Sequence, residues 1–296
     1  MNDISAIIVI KNSPAHLFET LSSIDSLVKE IVIADIGIDS PTLSKLKHNK
    51  KIKIFQIKTE VRYVELIREE LKQYASYKYI LLVDPDEIIS ESLKKMLLKF
   101  YQSYEYIKIP RKNIIFGKWI EHSRWWPDYQ VRLFKKDAVI WPKEIHKQPI
   151  VKGKGYAIEQ KEEYALIHHN YESVDEFMQK FVRYAKAEAS GLSSFSLSEA
   201  LKKAISEFIS RYFADEGYKD GMRGFVLAFL QMFYYFLVYV YYWEKGKYTD
   251  ENPKSIQNNI YIYFKEALYS INHWQNRLNL YSYGERLKKK ILNKLL

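Results

Sequence analysis

The chain has 296 residues, 47% of them hydrophobic, with a formal net charge of +10 and no cysteine. That composition supplies a full core and excludes wholesale disorder, and the missing cysteines exclude disulfides, thiolate metal sites and a cysteine nucleophile. The basic balance suits an anionic partner, such as nucleic acid, a phosphorylated substrate or an anionic membrane surface, and equally a plain lysine-rich surface.

Met1-Asn2-Asp3 runs straight into a strand-like segment, with no charged region followed by a long apolar stretch. No signal peptide is therefore expected, and the catalytic part is expected in the cytoplasm, at the inner face of the cell membrane. Residues 6–10 are continuously apolar, as in a strand buried on both faces. A helix follows, with Ser13-Pro14 as its start signal and Leu17, Leu21, Ile24 and Leu27 on one face. Then come a strand at 30–35, a helix near Ser40-Pro41, a strand at 52–55, a helix over 63–74 and a strand at 79–84. Repeated βα units predict an α/β fold, a doubly wound and mostly parallel sheet flanked by helices. Ligands bind such sheets beyond the carboxyl ends of the strands, which is where Asp35 and Asp84 fall.

From 104 to 170 the pattern changes to strand-like pieces at 106–110, 130–135, 138–141 and 164–168, with tryptophan-rich connections. This reads as the acceptor-facing half of one catalytic domain over 1–172. Residues 173–296 form a helical C-terminal region, with helices expected over 173–190 and 196–213. Within it, 225–243 contains no charged residue and ten aromatics. It reads as an interfacial membrane helix, a transmembrane span or a core helix, and its tyrosines and tryptophan favour the interface. The end of the chain, 285–296, spaces leucine and isoleucine helically among lysines, a pattern that suits a membrane surface or a solvated helix. A peripheral membrane contact is therefore expected. No nucleic-acid module is recognisable, and nucleic acid is not an expected partner.

Asp84-Pro85-Asp86-Glu87 follows a strand-like run, and Asp84 and Asp86 lie two apart, on one side of an extended chain. Two such carboxylates can hold Mg²⁺ or Mn²⁺, with a substrate diphosphate supplying further oxygens. The competing reading is a cap for the helix starting near Ser90. Asp35 and Asp39 bracket Ile36-Gly37-Ile38, where a carboxylate can accept from a ribose or base, or simply close a turn. In 125–134, Asp128 stands just before a strand among aromatic neighbours that would raise its pKa, as suits a general base. Trp125 and Trp126 can stack on a sugar, and Arg132 can pair with Asp128 or a phosphate. Arg111 and Lys112 are candidate phosphate contacts, and His146, His168 and His169 candidate contacts of a metal or diphosphate.

Together these stretches resemble glycosyltransferase family 2, with its GT-A fold, and within it the lipopolysaccharide-core β-glucosyltransferases. The matching pieces are 5–12, 30–39, 81–87, 110–120, 126–134, His146, 168–184 with Asn170-Tyr171-Glu172-Ser173, and Asp220-Gly221-Met222-Arg223-Gly224-Phe225. The resemblance runs to about residue 245. It implies an inverting transfer from a nucleotide-diphosphate sugar, with Mg²⁺ or Mn²⁺ as cofactor. Asp35 would bind base or ribose, Asp86 would be the principal metal ligand supported by Asp84, and Asp128 would be the catalytic base. The donor is expected to be UDP-glucose, and the acceptor a glycan or lipid-linked glycan such as lipopolysaccharide core. Two departures touch the nucleotide pocket: Ser13 stands where the family usually has Glu, and Ile38 where it usually has Ser.

Three other readings compete. A haloacid dehalogenase-like phosphatase would use Asp84 as nucleophile. A glycosidase would pair two carboxylates without a metal. A non-catalytic membrane-surface adaptor would need only the basic helices.

Overall fold

The structure, a computed structural model, describes residues 2–58, 61, 64–142, 147–278, 282, 284, 285 and 288. His146 and most of the expected basic helix at 285–296 lie outside the described residues. The chain divides into two compact units, one comprising 1–119 and 126–170, the other 120–125 and 171–296.

Among the described residues, the first unit is built on twelve strands and four helices. The strands are β1 (Ile4–Asn12), β2 (Glu30–Ile38), β3 (Ile52–Gln56), β4 (Tyr79–Leu82), β5 (Glu87–Ile89), β6 (Tyr106–Ile115), β7 (Lys118–Trp119), β8 (Asp128–Lys135), β9 (Val139–Ile140), β10 (Ile150–Val151), β11 (Gly155–Ala157) and β12 (Leu166–Tyr171). The helices are α1 (Leu17–Asp25), α2 (Ser40–Leu46), α3 (Arg68–Leu71) and α4 (Glu91–Phe100). The main sheet runs β3-β2-β1-β4-β8-β6-β12-β5, with β7 and β11 both on β6. From β3 to β4 every pairing is parallel; β8 then joins β4 and β6 antiparallel. This mixed sheet, curled and flanked by helices, is the expected α/β class.

β1 is buried throughout its first seven residues, all apolar but Ser5, because it lies between β2 and β4 with both faces covered. Ile8 and Ile10 face a layer with Leu17 and Ile24 of α1 and Leu93 and Leu97 of α4. Ile7 and Val9 face the opposite layer, with Leu71 and Trp141. The single helix expected over 63–74 is instead two 3₁₀ turns around the four-residue α3. Its polar side chains are tied to the segment around β9: Glu69 accepts from the Trp141 amide at 2.8 Å, and Lys72 Nζ donates to the Val139 carbonyl at 2.6 Å.

The second unit is helical: α5 (Val174–Gly191), α6 (Leu197–Ile209), α7 (Gly221–Lys245) and α8 (Pro253–Arg277). Ser173 caps α5, and Ser196 with Glu199 forms a capping box on α6. The helix expected over 196–213 stops at Ile209 and continues as a π-helical turn, Ser210–Ala214. Asp220, buried beside α7, accepts from the Glu121 and His122 amides at 3.2 and 2.9 Å and fixes the 120–125 segment within this unit.

Candidate active site

The turn between β4 and β5 carries Asp84 and Asp86. It is pinned from two sides: Thr20 of α1 donates to the Pro85 carbonyl at 3.1 Å, and the His169 amide of β12 donates to the Asp86 carbonyl at 3.0 Å. Neither carboxylate caps the following helix; Ser90 does, accepting from the Leu93 amide. Glu87 belongs to β5, opposite His168 of β12 in the antiparallel register.

The two aspartates do not act as one pair. Asp84 is held by Arg132 Nη2, with Arg68 Nη2 3.6 Å away. Asp86 Oδ1 faces His168 Nε2 at 3.7 Å. The expected grip of both carboxylates on one cation is thus divided between arginines on one side and an imidazole on the other. Burial pushes the Asp84 carboxyl up, but Arg132, Arg68 and Arg111 outweigh it and hold it far below the usual carboxylate range.

Arg132 was expected to pair with Asp128 or a phosphate. It is instead 2% exposed and bridges Asp84 and Glu87. Asp128 is taken by Arg111, which lies directly across from it in the β6–β8 register and donates from Nε and Nη2 to Oδ2. The Asn113 side-chain amide adds a bond at 3.2 Å, and Gln130 Nε2 reaches the other oxygen at 2.7 Å. The expected upward pKa shift of Asp128 is not found. Burial pushes it up, but the Arg111 guanidinium and the two amide donors prevail and hold it below the usual range. Glu87, completely buried, is the group whose carboxyl burial pushes up, against the opposing Arg132 and Arg111 charges.

Sequence reasoning passed over Asn113. Its Nδ2 donates to Asp128, which turns Oδ1 toward His168 Nδ1 at 2.7 Å. His168 Nδ1 is therefore the donor, and in the neutral ring Nε2 carries the lone pair, aimed at Asp86. The result is a chain of contacts from Asp86 through His168, Asn113, Asp128, Arg111, Glu87 and Arg132 to Asp84. Arg111 and Asn113 alternate on one side of β6, and Asp128, Gln130 and Arg132 on one side of β8. That period of two was the available signal.

Asp35 and Asp39 are engaged by the backbone next to them. Asp35 Oδ1 accepts from the Gly37 and Ile38 amides, both at 2.8 Å, and Asp39 caps α2 through the Thr42 amide and hydroxyl. These are turn and cap hydrogen bonds. Trp126 packs edge-on against Trp119, with ring centroids 5.2 Å apart. Trp125 belongs to the second unit, where its ring lies under the Arg211 guanidinium. The tryptophans expected to act together thus belong to separate units.

Asp86 and His168 fit a divalent metal. An oxygen and a nitrogen donor face each other, and the imidazole is oriented by Asn113. The mixed set suits Mn²⁺ better than Mg²⁺, which prefers an all-oxygen shell. Asp84 is paired with Arg132 and Arg68.

No protein-family model matches the chain. Among solved structures it is similar to residues 1–349 of S. aureus TarS, with 16% identity over 78% of this chain and 80% of that one, at a TM-score of 0.41. Against the same protein in complex with UDP-GlcNAc the values are 17%, 76%, 79% and 0.43. Similarity to GalNAc-T7 with UDP, GalNAc and Mn²⁺ covers 38% of this chain and 23% of that one, with 18% identity and a TM-score of 0.30. These likenesses are distant in sequence and partial in shape.

Proposed function

We propose that the chain is an inverting, metal-assisted glycosyltransferase. It would move a sugar, glucose from UDP-glucose as first candidate, to a hydroxyl of a glycan or lipid-linked acceptor such as lipopolysaccharide core. The observation that carries this reading is the set of contacts joining the Asp84–Glu87 turn to Asp128, through the buried Arg132 and the half-buried Arg111 on one side and the Asn113–His168 pair on the other.

Asp86 and His168 would hold the metal, which would neutralise charge growing on the departing diphosphate. Asp128 is the group placed to accept the proton of the acceptor hydroxyl. Arg111 keeps it ionised throughout the neutral range and fixes its orientation. The acceptor oxygen would form its bond to the anomeric carbon on the side opposite the leaving diphosphate, the sugar–diphosphate bond would break, and the configuration would invert. Trp126, half-buried beside Trp119, is the ring in this unit available to an acceptor sugar.

The phosphatase reading fares worse. A nucleophilic Asp84 would have to leave Arg132 and Arg68, which stabilise it as a charged, weakly nucleophilic carboxylate.

A panel of nucleotide sugars with Mg²⁺ or Mn²⁺, followed by melting temperature and then by transfer, tests the proposal. At least one donor should stabilise the protein only with metal, and Asp86→Ala should abolish that. Asp128→Asn should still bind the donor and lose transfer. Stabilisation by no donor, or normal transfer by Asp128→Asn, would overturn the assignment.

A further inference from the structure

Helix α7 is built inside out for an aqueous protein. Its buried residues are Gly224, Leu227, Ala228 and Val238, mostly small and on one side. On the opposite side Met222, Phe225, Phe229, Phe233, Phe236 and Trp243 recur at intervals of three, four or seven and fall within about 80° of arc. All six are exposed, from 37% for Phe236 and Trp243 to 75% for Met222. A helix in water buries its large aromatics and shows small or charged residues; this one does the reverse. The neighbouring helices match it, since α5 and α6 turn Ala185, Ala189, Ala200 and Ala204 inward. Small residues let the helix backbones approach closely and leave the bulky side chains on the outside.

We propose that this aromatic face of α7 lies flat in the interfacial layer of a lipid bilayer, as a monotopic anchor rather than a span. The length and composition fit a bilayer: 225–243 carries no charge, and the most apolar window in Gly217–Lys245 has a mean hydropathy of 1.7 and is only 22% buried. The neighbours decide the orientation. Glu188 accepts from Tyr234 Oη at 2.7 Å, Lys186 Nζ sits 5.1 Å from the Tyr241 ring, and Lys203 Nζ sits 6.0 Å from the Tyr235 ring. These charges flank the uncharged segment partway along it. Standing α7 upright would carry them into hydrocarbon, where a charged side chain is costly. Lying flat keeps them at headgroup level and puts only the phenylalanines and Met222 among acyl chains. Lys186 and Lys203 at that level, and the lysines at 245, 247 and 288–290 in the sequence, favour anionic headgroups.

Co-sedimentation of the full chain with phosphatidylcholine vesicles containing about one third phosphatidylglycerol tests this. The wild type should pellet with the vesicles. The triple variant Met222→Asp, Phe229→Asp, Phe236→Asp should bind at least tenfold more weakly while keeping its circular dichroism spectrum. If that variant misfolds, the milder pair Phe229→Ala and Phe236→Ala should still weaken binding at least threefold. A wild type that stays in the supernatant overturns the proposal, as does a folded variant that pellets normally. A lipid-free dimer that the aspartates split into monomers would assign the face to a second copy and also overturn it.

Discussion

The Arg111 guanidinium lies opposite Asp128 across the β6–β8 ladder and donates from two nitrogens to one of its oxygens. A carboxylate so held is ionised well into acid, and its orientation is set before any acceptor arrives. Arg111 also reaches Glu87 Oε1 at 3.4 Å, so the same side chain connects the proposed base to the turn bearing Asp86.

Replacing Arg111 with Gln should therefore show first in the pH profile. Asp128 has a lowered pKa in the folded protein, so its ionised form stabilises the fold above the unfolded-state value. That contribution is lost as pH falls through the lowered one. Without the guanidinium, burial alone pushes the carboxyl up, and the acidic limb of kcat should move to higher pH. At neutral pH kcat should fall by about tenfold to a hundredfold. A limb that stays in place would remove Arg111 from the base's control.

Arg132→Met tests the buried centre. It strips the shared cation from Glu87, which is fully buried, and from Asp84. Leaving a buried carboxylate without its cation costs about 3–5 kcal/mol, whereas removing both partners of such a pair is often close to neutral. Urea unfolding should show Arg132→Met strongly destabilised, and addition of Glu87→Met should recover a large part of the loss.

Much of the first unit was legible from hydrophobic pattern. The run at 6–10 is a strand covered on both faces, and Leu17, Leu21 and Ile24 do share the buried side of α1. The pairing of charges was not legible. Which arginine reaches Asp128 depends on the β6–β8 register, and that register passes through an irregularity between Ile107 and Lys108 that no spacing rule reveals. Asn113 was missed because a buried amide has no motif; its importance comes from standing between His168 and Asp128. Helix α8 falls in the region expected to be helical but was not delimited, although Ile256, Ile260, Phe264, Leu268 and Ile271 recur at intervals of three and four; none of them is buried. The helix expected over 63–74 is broken into short turns, a break that local spacing did not reveal.

In the helical unit, Gly224 of α7 packs against the chain just before the helix. A Cβ built on it would lie 1.8 Å from the Gly217 carbonyl oxygen, a backbone atom with no freedom to swing aside. Gly224→Ala should destabilise the unit by more than about 2 kcal/mol through overpacking. Gly191, at the end of α5, has nothing within 4 Å of such a Cβ, so Gly191→Ala should be neutral or slightly stabilising. Thermal melts of the two variants compare a close approach with an open one.

Asn113→Ala separates metal orientation from structure. The change removes the acceptor that faces His168 Nδ1 and one donor to Asp128. His168 would then be free to change tautomer or ring angle, and its Nε2 would no longer be fixed toward Asp86. Losing such an orienting partner weakens metal affinity by about tenfold to a hundredfold. Mn²⁺ titrations read by melting temperature, with and without a nucleotide diphosphate, should show that weakening. Asn113→Asp keeps an acceptor for the imidazole but places a second carboxylate beside Asp128. It should hold Mn²⁺ better than the alanine variant and still transfer poorly, because two neighbouring carboxylates raise one another's pKa. Equal Mn²⁺ affinity in the wild type and Asn113→Ala would mean that His168 is not a ligand, and the metal would then have to be sought elsewhere along the turn.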